Sequence, residues 1–302
     1  MIIVNYAAMC LVFGTTFLAI KVGIDAGAPP FFSAGLRFFL AGIILLLWMV
    51  WKKKATFSLL LHKEMWLTGM GLTFGTFATL YWAEQYVSSG AAAILSATAP
   101  LMILLIQAAI LRESVSRHAR FGCIIGFSGV IILVLPHISV QFNIYSTLGF
   151  IAILLGQMFY SSGTLYSKKV IKNFADTSPI ALNAAQMMHG GIMLIALSLL
   201  TETVSLETLL SPGAIASLFY LTVIGSMVGH TLFYWLIAKT NPLFPTTWLY
   251  ISPIIAMTLG ITLYNEAFSW FSITGSMTIL TGIIVLNLDT LRQLLGRRKL
   301  WI

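Results

Sequence analysis

Few residues of this chain could do chemistry, and the clearest pattern pairs a proline with a glutamate thirteen positions later. It occurs at Pro100 and Glu113, and again 153 positions further on at Pro253 and Glu266. Two carboxylates could pass protons to a substrate or to each other. A carboxylate beside a helix N-terminus is instead stabilised by the partial positive charge there. Because both glutamates follow long apolar stretches, we interpret them as helix caps, with proton coupling as the alternative.

The two prolines lie near the middle of stretches that are apolar enough to form long helices. A proline lacks the amide hydrogen that would bond the carbonyl group four residues earlier, here on Ser96 and Leu249. The hydroxyl group of Ser96 could satisfy one of these carbonyls locally. Such breaks predict helix hinges at Pro100 and Pro253 beside a cavity, and static kinks that help packing are the alternative.

Two basic residues lie within apolar surroundings. Arg37 is roughly 9 Å into the second apolar stretch at about 1.5 Å per residue. Its side chain either snorkels to the nearest surface or pairs with a helix end, or it holds a substrate carboxylate or braces a gate. Lys21 lies nearer the edge of its stretch, which predicts a structural role. Glu84 falls toward the end of the third stretch, and the lack of any acid at the centre of a stretch disfavours a cationic substrate.

Composition decides the solvent in which these residues must work. Hydrophobic residues make up 59% of the chain, charged residues make up 9%, and the mean hydropathy is +0.94. Because soluble domains are about a quarter charged, the chain is predicted to be an integral membrane protein. Cys10 and Cys123 lie in apolar runs without a ligand pattern, so we predict no metal and no cofactor. The enzyme motifs HExxH and GxSxG are missing from the sequence, which predicts that it is not an enzyme.

Windows of about 20 apolar residues are long enough to cross a bilayer as helices. They are 3–24, 31–51, 65–86, 89–111, 119–136, 147–168, 179–200, 212–237, 244–264 and 270–290. With the N-terminus in the cytoplasm, fifteen of the 17 basic residues fall on the cytoplasmic side, including those of a basic tail at 291–302. This bias predicts a multi-pass protein of the cytoplasmic membrane with both termini inside. The net charge of +8 then reflects orientation and contact with anionic lipids rather than nucleic acid.

The chain repeats itself. A shift of 153 positions brings Tyr81, Trp82, Gly122 and Gly129 onto Tyr234, Trp235, Gly275 and Gly282, in addition to the proline and glutamate pairs. The earlier helices match at a slightly smaller shift. We therefore predict an all-α membrane protein of ten transmembrane helices in two five-helix repeats, 3–136 and 147–290. Because five is odd, the second repeat must cross the membrane in the inverted orientation.

The stretch WAEQYVSSGAAAILSATAPLMILLIQAAILRESVSRHARFGCIIGFSGV resembles the second half of an EamA-type domain of the drug/metabolite transporter superfamily. GTTFLAIKVG and PPFFSAGLRFFLAG resemble the first two helices of that domain. The resemblance covers both halves, and it implies a ten-helix transporter whose central cavity is lined mainly by helices 1, 3, 4, 6, 8 and 9. It also implies efflux of metabolites or amino acids. The second half departs from the first in having Gln186 where Arg37 would map.

Polar and aromatic side chains cluster on the helices that the resemblance places around the cavity. Such side chains within a span usually face protein or water. The candidates for the cavity wall are Thr15, Thr16, Arg37, Trp82, Gln85, Ser96, Gln157, Tyr160, His230, Tyr234, Trp248 and Tyr250. Aromatic walls with a few amides and hydroxyls suit an amphipathic solute such as an amino acid. His230 alone is interpreted as a hydrogen-bonded interior histidine rather than a proton relay.

These features predict a secondary transporter that works by alternating access and exports a small metabolite, such as an amino acid or a related carboxylate. One alternative is an exchanger of anionic sugar or phosphate metabolites, and another is a channel or a scramblase. The predicted partners are a small-molecule substrate and membrane lipids, without nucleic acid. Coupling to a proton or a counter-solute stays open at this point, as does the choice between a monomer and a homodimer.

Overall fold

The computed structural model describes residues 1–110, 112, 116–139, 143–239, 247–266, 269–286 and 288, excluding the side chains of 134–139, 237, 238 and 250. Within these residues the chain forms helices and no strand. Helices in unbroken α-form are α1 (Ile2–Asp25), α2 (Pro30–Trp51), α5 (Arg117–Ser139), α6 (Ile144–Asn173), α7 (Pro179–Thr201), α9 (Trp248–Tyr264) and α10 (Trp270–Leu286). Three rods are composite: α3 (Lys63–Gly69, Met70–Gly75, Thr76–Ala83), α4 (Ser89–Ser96, Ala99–Ala109) and α8 (Pro212–Tyr220, Leu221–Gly229, His230–Lys239).

Six helical stretches of the described chain are long and apolar enough to cross a membrane. They are Ile2–Asp25, Pro30–Trp51, Ser89–Ala109, Ile144–Asn173, Pro179–Thr201 and Pro212–Leu236. The end of α9 (Ile251–Tyr264) and the whole of α10 are shorter apolar helices. In lipid the backbone groups find no water, so a helix that bonds them internally is the stable state for such sequences.

Local signals explain where several helices begin. Proline occupies the first turn of α2, α7 and α8, where its missing amide hydrogen costs nothing. The Ser116 hydroxyl accepts a hydrogen bond from the Ala119 amide at the start of α5. The Ser269 hydroxyl accepts one from the Ser272 amide at the start of α10. These two serines therefore cap the helices that follow them.

The two mid-helix prolines have different effects on their helices. α4 is interrupted at Ala97 and Thr98, and Pro100 lies in the first turn of its second segment. Pro253 instead lies inside the continuous helix α9. The predicted helix break is therefore found in α4 of the first repeat and is not found in α9 of the second. Both hinge roles stay predictions.

α3 and α8 each contain a π-helical segment, at Met70–Gly75 and at Leu221–Gly229. Each backbone hydrogen bond there spans five residues instead of four, which widens the helix, and such segments are frequent at functional sites. The hydrophobic spans predicted at 65–86 and 212–237 gave no sign of these segments, because apolar content does not distinguish one hydrogen-bonding period from the other.

Glycine residues allow several pairs of helices to pack closely. Gly122 on α5 packs against the carbonyl group of Gly282 on α10, and Gly129 packs against the carbonyl group of Gly275. A shift of 153 positions converts each of these contacts into the other. α2 and α7 approach similarly, since Gly35 meets the carbonyl of Gly191. The missing side chains let the backbones come within contact distance.

Contacts between helix termini define two ends of the bundle, because Lys21 near the end of α1 donates to the carbonyl oxygen of Glu84 after α3, and Glu202 after α7 accepts from amides at the start of α2. At the Asp25 end, α1 and α3 finish while α2 and α4 begin. At the Lys52 end, α2 finishes and α3 begins. The largest apolar cluster lies between these ends and includes Phe38, Leu46, Ile94 and Leu182. Cys10 and Cys123 are buried free thiols.

Candidate functional site

Arg37 lies in the interior of the bundle, where α2, α3 and α8 meet. Its side chain is 2% exposed. Nε donates to the Ser226 hydroxyl at 2.8 Å, and Nη1 donates to the Tyr81 hydroxyl at 3.2 Å. The guanidinium carbon is 4.6 Å from the ring centre of Phe38 and 5.4 Å from that of Phe77. Hydroxyl oxygens and aromatic faces stabilise a cation away from water, so the expected alternative of snorkelling to the surface is wrong.

The charge of Arg37 has no acidic partner in the described part of the chain. The one ion pair found there joins Lys21 to Asp25 at 3.1 Å. Both hydrogen-bond acceptors of Arg37 are neutral hydroxyls. A buried cation is usually paired with an anion, because moving a single unpaired ion from water into a protein interior costs about several kcal/mol. The site is therefore suited to receive a negative group.

Gln186 stands at the matching place in the second half of the chain. It is 3% exposed, its Oε1 accepts from the Thr73 hydroxyl at 2.8 Å, and its Nε2 donates to Asn183 Oδ1 at 2.8 Å. Thr73 and Ser226 are 153 positions apart. The bonds Arg37–Ser226 and Gln186–Thr73 thus correspond, and each joins one half of the chain to the other.

Two small recesses lie toward opposite ends of the bundle, on either side of the region that holds Arg37 and Gln186. The recess at the Asp25 end is lined by Gly23, Ser33, Tyr81 and Ser217, among others. The recess at the Lys52 end is lined by Thr68, Ser167, Gln186 and Tyr234, among others. Tyr81 and Tyr234 are related by the 153-position shift. Each recess is therefore lined by the corresponding tyrosine of one half.

Several other residues that were predicted to line the cavity lie in the same region as Arg37. A Cβ atom on Gly225 would be 3.1 Å from Arg37 Nη2 and 3.1 Å from a methyl group of Thr16, so Thr16 and Arg37 face the same helix. The His230 ring is 5.4 Å from Phe13 and 6.3 Å from Phe38. Trp248 is 4.7 Å from Phe13. Four aromatic rings thus lie close to one another in the region of Arg37.

The remaining cavity candidates lie in different places. Gln157 is buried and donates to the Ser96 hydroxyl at 3.4 Å, which joins α6 to α4. Thr15 bonds the Tyr220 hydroxyl at 2.6 Å on the α1–α8 contact. Tyr160 is half-buried on α6. Tyr250 belongs to the side chains that the structure does not describe, as does the whole of Glu113.

Gln85 is not part of the interior. It is exposed, and its amide nitrogen donates to the Trp82 carbonyl at 3.2 Å. The Trp82 ring makes an edge contact with Tyr86 at 5.2 Å. α3 ends at Ala83, so Gln85 lies in the following turn rather than on a helix face. Gln85 therefore lies at the Asp25 end of the bundle, and its role in a cavity stays a prediction.

Glu266 binds a different helix from the one that its position in the sequence indicated. Its carboxylate accepts from the Ser89 amide at 2.7 Å, from the Ser89 hydroxyl at 2.7 Å and from the Gly90 amide at 3.2 Å. These groups begin α4 in the other half, whereas α10 is capped by Ser269. Glu202 acts in the same way on α2, accepting from the Phe31 and Phe32 amides. The role of Glu202 could not be predicted from local sequence, because its partners are 171 and 170 positions away.

Lys21 is bound at the Asp25 end. Its ammonium group pairs with Asp25 and donates to the carbonyl oxygen of Glu84 at 2.9 Å. The Glu84 side chain is completely buried, and neither carboxyl oxygen has a hydrogen-bond partner in the described structure. An acid inside the apolar sequence LYWAEQYV was the available signal. Groups of three or more histidine, cysteine, aspartate or glutamate side chains that could hold a metal ion do not occur among the described residues.

The sequence profile of the EamA-like transporter family matches residues 1–135 and 147–288. The chain belongs to this family. The uncharacterized inner membrane transporter YedA of Escherichia coli K12 is 26% identical over 290 residues, covering 93% of this chain and 89% of that protein. The uncharacterized transporter YoaV of Bacillus subtilis is 22% identical over 286 residues, covering 94% and 96%. Protein PecM of Dickeya dadantii is 24% identical over 293 residues, covering 95% and 92%.

A solved protein structure shares the fold of this EamA-family transporter. The TM-score is 0.64 at 17% identity, and the match covers 94% of this chain and 96% of the solved chain. Family membership and the apolar helices make the molecule a multi-pass protein of the cell membrane. They also make it a transporter of a small molecule rather than an enzyme. The predictions of family, membrane location and transport are confirmed.

Proposed function

We propose that this EamA-family transporter is a secondary transporter that exports small carboxylates, such as amino acids, by alternating access. The observation that carries the substrate class is Arg37, a buried cation whose described hydrogen-bond partners are both neutral. A substrate carboxylate would supply the missing negative charge. The direction of transport is proposed from the resemblance to metabolite exporters.

A guanidinium group suits this role better than an ammonium group does. Its donors form a planar fork that matches the two oxygens of a carboxylate. Ser226 and Tyr81 hold two of the three nitrogens in position. The nearby rings of Phe13, Phe38, His230 and Trp248 would contact the apolar part of an amino acid.

We further propose that residues 3–136 and 147–290 form two inverted repeats of five transmembrane helices, ten in all. Three observations support this arrangement: the exchanged glycine contacts between α5 and α10, the corresponding bonds of Arg37 and Gln186, and the two recesses at opposite ends. The distribution of basic residues supports cytoplasmic termini and a basic cytoplasmic tail at 291–302. Two halves related in this way can open one end while closing the other.

The test is counterflow in proteoliposomes with each amino acid and with the amine that lacks its carboxyl group, for example leucine against 3-methylbutylamine. Wild type should transport an amino acid saturably and discriminate against its amine. Arg37→Gln should lose most of that discrimination, because the cation that recognises the carboxylate is gone. Arg120→Gln removes an exposed arginine of α5 and serves as the matched control.

Three outcomes would count against the proposal. Equal transport of an amino acid and its amine by wild type would show that the protein does not recognise the carboxylate. Unchanged discrimination in Arg37→Gln would show that Arg37 does not recognise the carboxylate. Flux that does not saturate would indicate a channel, and preference for sugar phosphates in the same assay would indicate the exchanger.

A further inference from the structure

His230 is an interior polar residue whose ring forms no hydrogen bond within the described part of the chain. It begins the last segment of α8, and its ring makes edge contacts with the buried rings of Phe13 and Phe38. Val228, two residues earlier, is 40% exposed. Because two residues are about 200° apart around an α-helix, His230 points away from that surface. The residue is nevertheless partly exposed, so it borders space inside the bundle.

The sequence repeat shows that packing does not require an imidazole ring at this place. A shift of 153 positions brings Phe77 on α3 onto His230 on α8. Both rings contact the ring of Phe38, with 4.4 Å and 6.3 Å between the ring centres. A phenyl ring therefore fills the corresponding place in the other half without a polar atom. The ring nitrogens of His230 need a different explanation.

The histidine occurs in the half of this arrangement that contains the buried cation. Ser226 lies four residues before His230 and accepts a hydrogen bond from Arg37. Thr73 lies four residues before Phe77 and binds an uncharged amide side chain instead. Arginine and histidine thus occur together in one arrangement, whereas an amide and a phenyl ring occur together in the other.

Arg37 and His230 contact one aromatic ring. The guanidinium carbon is 4.6 Å from the ring centre of Phe38, and the centre of the imidazole ring is 6.3 Å from the same point. The separation of the two groups therefore cannot exceed the sum of these distances, and Arg37 lies within electrostatic range of His230. Because a second positive charge beside Arg37 would be repelled, the imidazole is neutral, with one nitrogen that donates and one that accepts.

We propose that His230 binds the ammonium group of the substrate while Arg37 binds its carboxylate, so that the transporter selects α-amino acids over acids that lack an amino group. This inference rests on the proposed transport of carboxylates. One ring nitrogen accepts a hydrogen bond from the ammonium group, and the face of the ring contacts carbon atoms of the substrate. The rings of Phe13 and Trp248, 4.7 Å apart, add aromatic faces that attract a cation.

The donors and acceptors of the two residues match those of an amino acid. A guanidinium group has five N–H donors, and Ser226 and Tyr81 accept from two of its nitrogens. The donors that are left suit a carboxylate. An ammonium group has donors only, so it needs an acceptor, which Arg37 lacks and neutral His230 supplies.

The experiment measures competition for leucine counterflow in proteoliposomes of the full-length protein. The competitors are unlabelled leucine, 4-methylpentanoate, which lacks the amino group, and 3-methylbutylamine, which lacks the carboxylate. Strong buffer on both sides keeps the pH constant when free acid or amine crosses the bilayer. If another amino acid gives larger counterflow, it replaces leucine together with its own acid and amine. Wild type should bind leucine about tenfold or more tightly than 4-methylpentanoate, as expected for a hydrogen bond to a charged group.

Two substitutions of His230 separate the hydrogen bond from packing. His230→Phe copies the residue of the other half, and it should bring the inhibition constants of leucine and 4-methylpentanoate close together. Discrimination against 3-methylbutylamine depends on Arg37 and should persist. His230→Gln keeps an acceptor oxygen and should keep most of the preference for leucine. His62→Phe removes an exposed histidine, serves as the matched control and should behave as wild type.

The outcomes distinguish this inference from the transport proposal. An absence of saturable flux of any carboxylate in wild type would overturn both. Equal inhibition of wild type by leucine and 4-methylpentanoate would leave recognition of the carboxylate intact and overturn the ammonium site alone. A preference for leucine that persists in His230→Phe would show that another group binds the ammonium.

A second variant applies if His230→Phe does not fold. His230→Met introduces a flexible side chain that fits irregular spaces, and its thioether is only a weak acceptor. This variant should also lose the preference for leucine, and a retained preference would overturn the role of His230. The comparison of leucine with 4-methylpentanoate in wild type needs no variant and decides by itself whether the amino group is recognised.

Discussion

Arg37 and Gln186 occupy corresponding positions in the two halves of the chain, and each forms a 2.8 Å hydrogen bond with a hydroxyl residue of the opposite half. Arg37 donates to Ser226, and Gln186 accepts from Thr73. Arg37 lies seven positions after Pro30 at the Asp25 end, and Gln186 lies seven positions after Pro179 at the Lys52 end. The two bonds therefore join the halves at similar distances from opposite ends.

The first prediction is that each bond favours closure of its own end. Ser226→Ala should favour opening of the Asp25 end, and Thr73→Val should favour opening of the Lys52 end. Loss of about 1.4 kcal/mol from one closed state changes a two-state population about tenfold. The measurement is labelling by a membrane-impermeant thiol reagent, with reporters Ser217→Cys and Ser167→Cys in the two recesses, after both native cysteines are replaced by alanine.

The reporter at position 217 should react faster in Ser226→Ala, and the one at position 167 should react faster in Thr73→Val. Ser128→Ala and Thr278→Val remove exposed hydroxyls and should change neither rate. If both central variants accelerated both reporters equally, the bonds would stabilise the fold without selecting an end.

The second prediction concerns the contact between Glu266 and α4. Glu266→Ala removes an acceptor for two amides and a hydroxyl, and it should lower the free energy of unfolding by about 0.5–2 kcal/mol, the range for lost helix caps. Thermal unfolding in detergent measures the loss. Glu266→Gln keeps one carbonyl acceptor and should lose less, while Glu207→Ala at an exposed acid should be neutral. Equal midpoints for Glu266→Ala and wild type would contradict a capping role.

The third prediction concerns the glycine contact of α5 with α10. A Cβ atom on Gly282 would lie 2.6 Å from Gly126 Cα and 2.7 Å from the Gly122 carbonyl oxygen. Backbone atoms cannot rotate away, so Gly282→Val should force the helices apart and cost about 1–3 kcal/mol or more. The midpoint of thermal unfolding should fall clearly below that of Ile284→Val, which trims an exposed residue of the same helix. A fall no larger than that of the control would show that the helices separate at little cost.

Local sequence predicted most helix positions. The window 31–51 corresponds to α2 at Pro30–Trp51, and the start predicted for 179–200 is the start of α7. α6 runs longer than its window of 147–168, because the polar residues at its ends extend the helix beyond the apolar stretch. The π-helical segments and the unbroken helix at Pro253 were not predicted, since neighbouring helices influence which hydrogen-bond pattern a backbone adopts.

The sequence by itself determined that this protein lives in a membrane, belongs to the EamA-like transporters and repeats its pattern of prolines, glutamates and glycines. Composition suffices for the membrane, the resemblance of whole stretches of sequence indicates the family, and the repeat is visible because residue types recur at a fixed shift of 153 positions. The tertiary structure alone decided the partners of the charged residues. Ser226 is 189 positions from Arg37, and Ser89 is 177 positions from Glu266. Such partners are chosen by the packing of helices, and the same packing left Glu84 buried without a donor.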